Sequence, residues 1–243
     1  MSRRETLGFD RDIDLAWLDA AAATAARGEP LKVAREQLYA ALDGVVAGDG
    51  PHSGRGKTIT VLARVWLNPT QGEMRSRALA AFHDASRAER TAIHWAMCVG
   101  THPFFVDVAE AVGRLLRVQG DVALAQVTRR IAETWGERTT LQRAVPRVCR
   151  SFIEWGVLRE TGVRGVYQGP ASLIAAEGPV ARVLIEALLV GGKRTAAPVA
   201  ELVRHPALFP FQVTLTGGDL RTAPEFRVDR QGLDVDVVAL ATA

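Results

Sequence analysis

Cysteine is scarce in this chain of 243 residues: Cys98 and Cys149 lie far apart and form neither a disulfide framework nor a CxxC pair. Their scarcity excludes a small disulfide-stapled scaffold and predicts a reducing, cytoplasmic setting. Lysine is nearly as rare, for only Lys32, Lys57 and Lys193 are lysine among 30 basic residues and the remainder are arginine. The number of arginines therefore says little about function, and their placement must carry any argument. Long apolar runs are missing too. The best, from Pro179 to Val190, is interrupted by Arg182 and Glu186 and is too short for a bilayer, so it reads as a buried helix and no membrane association is expected. The opening MSRRETLGFDRD is charged and no apolar stretch follows it, which predicts no secretory signal. A strong overall field is absent as well: the formal net charge is +3, so a basic site has to be local.

What is present fits an ordinary globular protein, with 48% hydrophobic and 23% charged residues and enough length for a real core. Residues 1–101 read as helical. Ile13, Leu15, Trp17 and Leu18 begin an alanine-rich segment, and Pro30 opens a run with Val33, Leu38, Ala41 and Leu42 on one face. A loop is expected from Gly44 to Gly56. The stretch Ile59 to Leu67 fits helix or strand, and Asn68-Pro69 ends it. Helices follow at Glu73 to Asp84 and Ala88 to Val99, the second opened by a capping box of Ser86 and Glu89.

Catalytic signatures are also lacking. Gly54-Arg55-Gly56-Lys57-Thr58 has the tail of a phosphate-binding loop, but Pro51 stands where its first glycine belongs, and a flexible basic loop is the better reading. His94, Cys98 and His102, with His83 nearby, have helical spacing for metal ligands; His102 stands beside Pro103 where the helix should stop, which favours packing or capping. No G-x-S-x-G elbow occurs, Cys149 lies on an amphipathic helix, and Asp234 and Asp236 share a strand face without a metal partner. The chain is read as non-enzymatic, with no catalytic residues, metal or cofactor.

Residues 102–170 carry most information. Phe104, Phe105, Val108, Val112, Leu115 and Leu116 line one helix, which Gly120 can close. Leu124, Val127, Ile131 and Trp135 line a second helix ending at Gly136. After a short turn, Thr139 or Thr140 is expected to cap a third, in which Leu141, Val145, Val148, Phe152 and Trp155 form an apolar stripe. Arg143, Arg147 and Arg150 point the other way, and Pro146 should kink the helix and shift base contacts toward its first turns. Val157 to Thr161 and Val166 to Gly169 flank Gly162-Val163-Arg164-Gly165 as a β-hairpin.

Helix, helix, turn, helix and hairpin in this order resemble a winged helix-turn-helix domain. The resemblance implies a third helix entering the major groove of double-stranded DNA and a hairpin touching the neighbouring backbone. Between Val127 and Tyr167 eight arginines face four glutamates, a local excess larger than that of the whole chain. Arg138, Thr140, Gln142, Arg143, Arg147, Arg150 and Arg164 are the expected DNA contacts, with Thr140 to Arg143 toward base edges and Arg147 and Arg150 on phosphates. The alternative is a protein–protein adaptor that uses the winged fold without touching DNA, its partners docking on the N-terminal helices.

Residues 171–243 form a third region with helices at Val180 to Val190 and Ala197 to Val203, then strands in FQVTLT, EFRVDR and LDVDVVAL. This could be a degenerate second winged domain, although no third helix is evident. The expected class is mainly α with small antiparallel β (α+β), in three segments: 1–101, 102–170 and 171–243.

Overall fold

The carboxylate of Asp14 accepts from the backbone N–H of Ala16 and so starts helix α1 (Leu15–Ala26). The computed structural model describes residues 7–232 and 234–241. Helix α2 (Leu31–Ala41) follows Pro30. The predicted Gly44–Gly56 loop ends early, because Ser53 accepts from the Gly56 N–H at 3.0 Å and opens α3 (Gly54–Leu62). Far from being a free basic loop, this turn is anchored by Arg55, which reaches Asp43 at 2.7 Å and Asp49 at 3.1 Å. The ambiguous stretch after it is helical and widens into a π-turn at Ala63–Leu67.

Helices α4 (Gly72–Phe82) and α5 (Arg87–Thr101) come next, the latter opened by the predicted Ser86–Glu89 capping box. Every residue of α5 from Thr91 to Thr101 is buried, so this helix is the axis on which the other elements pack. His94 on α5 accepts from Trp66 Nε1 at 3.1 Å and faces Asp19 Oδ1 through Nε2, also at 3.1 Å. Both ring nitrogens are therefore spent within the fold. Among the described residues no group of three or more His, Cys, Asp or Glu is placed to hold a metal ion.

The middle segment contains α6 (Pro103–Gln119), β1 (Asp121–Ala123), α7 (Leu124–Trp135), α8 (Leu141–Glu154), β2 (Arg159–Glu160) and β3 (Val166–Gln168). Gly120 closes α6 at φ 79°, a conformation that favours glycine. The three strands form an antiparallel sheet in the order β1-β3-β2, with Val122 and Glu160 both opposite Tyr167. Strand β1 has no sequence signal, since three residues are too few to display a period.

The last segment holds β4 (Ile174–Ala176), α9 (Gly178–Gly191), β5 (Ala196–Pro198), α10 (Val199–Leu202), β6 (Phe211–Val213), α11 (Gly217–Arg221), β7 (Phe226–Gln231) and β8 (Val235–Leu240). The helix expected from Ala197 to Val203 is instead a strand followed by a single turn, because the residue before Pro198 is held extended and Pro198 has no N–H to donate. FQVTLT is strand only over its first three residues, and these pair parallel to β4. The predicted pairing of the two final strands is observed, while Leu233 of that pattern lies outside the described residues. A third helix does exist: α11 has five residues, too few for its periodicity to be read. The last segment runs helix, strand, helix, strand, helix, strand, strand, so it differs from the middle segment by the insertion of β6, which pairs with β4 in its own sheet, while the sheet order β5-β8-β7 matches that of β1-β3-β2.

All three segments meet at Trp95 of α5. Its ring lies 4.9 Å from Phe105 on α6, 4.7 Å from Phe152 on α8, and 5.4 and 5.6 Å from Phe209 and Phe211. Its indole N–H donates to the Ala207 carbonyl at 2.9 Å. Close approach of the segments has a steric requirement, for a Cβ on Gly113 of α6 would lie 2.0 Å from the Pro206 carbonyl oxygen. The result is mainly α with small sheets, as the sequence predicts. No described helix is long and apolar enough to cross a membrane.

Candidate nucleic-acid interface

The apolar stripe of α8 is buried along its whole length, with Leu141, Val145, Val148, Phe152 and Trp155 all at 5% exposure or less. Docking that stripe fixes which residues face outward. Gly136, at φ 77°, ends α7 by donating to the Ala132 carbonyl, and Leu141 enters α8 with its N–H on the Arg138 carbonyl. Thr140 does not act as the expected cap. It is already in the right-handed helical region and its side chain makes no capping bond, because the turn satisfies the helix start through backbone carbonyls. The Thr140 hydroxyl is thereby left exposed beside Gln142 and Arg143. The helix continues through Pro146 to Glu154 without interruption.

The hairpin is fastened to the same face. Leu124 at the start of α7 donates to the Gly165 carbonyl at 2.8 Å, and Thr161 accepts from the Val163 N–H, which holds the turn. Gly165 has the positive φ that the hairpin needs, 77°, whereas Gly162 does not. Arg164 is exposed at the tip.

Between α7, the turn, the start of α8 and the hairpin lies an open groove of about 1270 Å³. It is lined by Arg138, Gln142 and Arg164 of the predicted set, with Arg129, Glu133 and Glu137 beside them. Arg143 and Thr140 share the same first turns of α8, outside the groove lining. Neither the Arg143 nor the Arg164 side chain forms an ion pair or hydrogen bond among the described residues, whereas Arg138 is engaged within the protein.

Arg147 and Arg150 are placed differently. The segment before α1 crosses the C-terminal half of α8 with Phe9 and Ile13 fully buried. Ile13 donates to Ser151 Oγ at 2.8 Å and accepts from Trp155 Nε1 at 2.7 Å. Arg147 donates to the Asp10 carbonyl at 3.1 Å, and Arg150 lies 3.5 Å from the Asp12 carboxylate. Partial burial together with Asp12 and Asp14 raises the pKa of nearby Glu154, opposed by Arg150, which marks this end of the helix as acidic. The acidic strap has no counterpart in the sequence reading, and Arg129, one of the eight arginines of the local excess, lines the groove although it lies outside the expected contact set. Arg129 lies opposite the α7 stripe and so was visible in principle; aspartates at 10, 12 and 14 give no hint of which helix they will cover.

Cys149 is buried in α8, and burial pushes its thiol up to about 12, which disfavours the thiolate. Comparison with protein-family models, with curated proteins and with solved structures finds no match to this chain.

Proposed function

We propose that residues 102–170 form a winged helix-turn-helix unit that binds double-stranded DNA, and that the chain acts as a non-enzymatic regulator or as a subunit of a DNA-processing assembly. The order of α6, β1, α7, α8, β2 and β3 and the strand order β1-β3-β2 support the winged reading. The observation that carries DNA binding is the exposed face on which the Arg143 and Arg164 side chains have no partner among the described residues, adjoining a groove lined by Arg129 and Arg138. The guanidinium groups of Arg143 and Arg164 are available to neutralise phosphates and release counterions. In this reading the first turns of α8 enter the major groove, with Thr140 and Gln142 at base edges and Arg164 on the flanking backbone. Arg147 is kept by the strap for structure, and Arg150 faces acids, so both contribute less than the sequence alone implies.

The test is fluorescence anisotropy of a labelled duplex over a salt series, with wild type and Arg143→Glu/Arg164→Glu. The expected result is at least about tenfold weaker binding and a salt slope shallower by about 0.9 per lost phosphate contact. A variant with a native circular dichroism spectrum and unchanged affinity overturns the site.

One observation favours the adaptor reading: Glu133 and Glu137 line the same groove, and α2 exposes Leu31 at 41% and Val33 at 40%, a patch that a protein partner could cover. No duplex binding at about 100 mM salt, together with a stable co-purifying protein, decides for the adaptor.

A further inference from the structure

A second cleft, of about 820 Å³, opens between the middle and last segments and shares no lining residue with the groove at α8. Its walls are the C-terminal half of α6, the end of β3 at Gln168-Gly169, the connection to β4, and the segment leading into β6. In the first sheet this is the end remote from the hairpin turn, so a ligand here and a duplex at Arg164 occupy different faces.

The chemistry of the cleft is unusual within this protein. Leu116, Leu173 and Phe209 contribute apolar surface, and Leu173 is 51% exposed. Arg117, Arg159 and Arg204 also line it, and no aspartate or glutamate does. The other two clefts both contain acids, Glu133 and Glu137 in one and Asp107 and Glu110 in the other. Two of the arginines are oriented by backbone: Arg117 donates to the Arg204 carbonyl at 2.7 Å and Arg159 to the Gly169 carbonyl at 2.9 Å. Each of those bonds uses one of five guanidinium donors, and none of the three arginines has a carboxylate partner among the described residues. Most arginines of the last segment, by contrast, are ion-paired, as with Arg182, Arg194, Arg221, Arg227 and Arg230.

We infer that this cleft docks an acidic peptide segment of a partner protein, one that seats leucine or phenylalanine side chains on the apolar floor and sets carboxylates against Arg117, Arg159 and Arg204. Carboxylates suit the arginine rim, because the guanidinium fork binds them bidentately. The floor selects peptide over nucleic acid: a duplex backbone offers phosphates but no aliphatic or phenyl group to displace water from Leu116, Leu173 and Phe209. Anchor residues in a pocket ringed by polar contacts are the usual pattern of such recognition.

The experiment uses the full chain and a short fluorescent peptide in which glutamates alternate with leucine and phenylalanine, compared with the same peptide carrying serine at its apolar positions. Wild type should bind the first peptide at least about tenfold more tightly than the second. Arg117→Glu/Arg204→Glu should lose at least about tenfold in peptide affinity and keep its duplex affinity. Both side chains are exposed. Leu173→Ser is the second variant, which should weaken the peptide without changing the charge. Equal binding of the two peptides, no binding of either, or loss of duplex binding in the arginine variant each overturns the inference, the last by making the cleft a nucleic-acid surface.

Discussion

His102 stands fully buried at the junction of α5 and α6, and burial, with the Arg64 guanidinium adding to it, pushes its pKa down to about 3. Its folded pKa is thus below the ordinary value of 6.5, so the unfolded chain takes up the proton first. Stability from this residue is complete above that value and is lost as the pH falls from there toward about 3, at up to about 1.4 kcal/mol per pH unit. His94 is shifted in the same direction, again mainly by burial. Urea midpoints measured above and within this window should fall less steeply for His102→Asn than for wild type, and equal slopes would count against the assignment. The arginines of α8 divide by the same kind of measurement. Arg147→Ala should cost about 0.5–1.5 kcal/mol, because the Asp10 carbonyl loses its donor. Arg143→Ala should stay within about 0.5 kcal/mol, since that side chain is exposed and has no ion pair or hydrogen bond among the described residues. A stability loss at Arg143 equal to that at Arg147 would mean that the two do not differ in role.

At the scale of elements, α9 is tied to α4 by a buried charge. Glu186 is 2% exposed and receives two guanidinium bonds from Arg77, at 2.9 and 2.5 Å. Arg77→Met leaves that carboxylate buried without its cation and should cost about 3–5 kcal/mol, while Arg77→Met/Glu186→Met should recover most of it. Chemical denaturation of the three proteins measures this, and an additive double variant would show that the pair is not coupled. Glu186 reads in the sequence as an interruption of an apolar run; its partner, 109 residues away, cannot be read from either neighbourhood. The long helices were legible because 3.6-residue periodicity repeats over three or more turns, as in α6, α7 and α8. Strand β1 and helix α11 were not, since three and five residues are too few for a period to repeat; β1 is held by pairing with β3, and α11 by its own Thr216–Asp219 capping box.

At the scale of the whole molecule, the two three-stranded sheets share a strand order but differ in the charge around them. From Gly217 to Leu240 three arginines accompany five carboxylates, and Arg221, Arg227 and Arg230 are paired with Asp236, Asp229 and Asp234. Replacing these three by alanine should leave duplex affinity within about twofold, because paired, exposed arginines release few counterions. A loss matching that of Arg143→Glu/Arg164→Glu would place DNA beside both sheets. From the sequence alone came the fold class, the buried stripe of α8, the helix caps that depend on residues three positions apart, and the local excess of arginine between Val127 and Tyr167, all of which are properties of short range. Tertiary structure alone decided which arginines are free. An ion pair or a donated bond depends on what the chain brings alongside from far away, as when the strap at Asp10 and Asp12 covers one end of α8 and leaves Thr140 to Arg143 open.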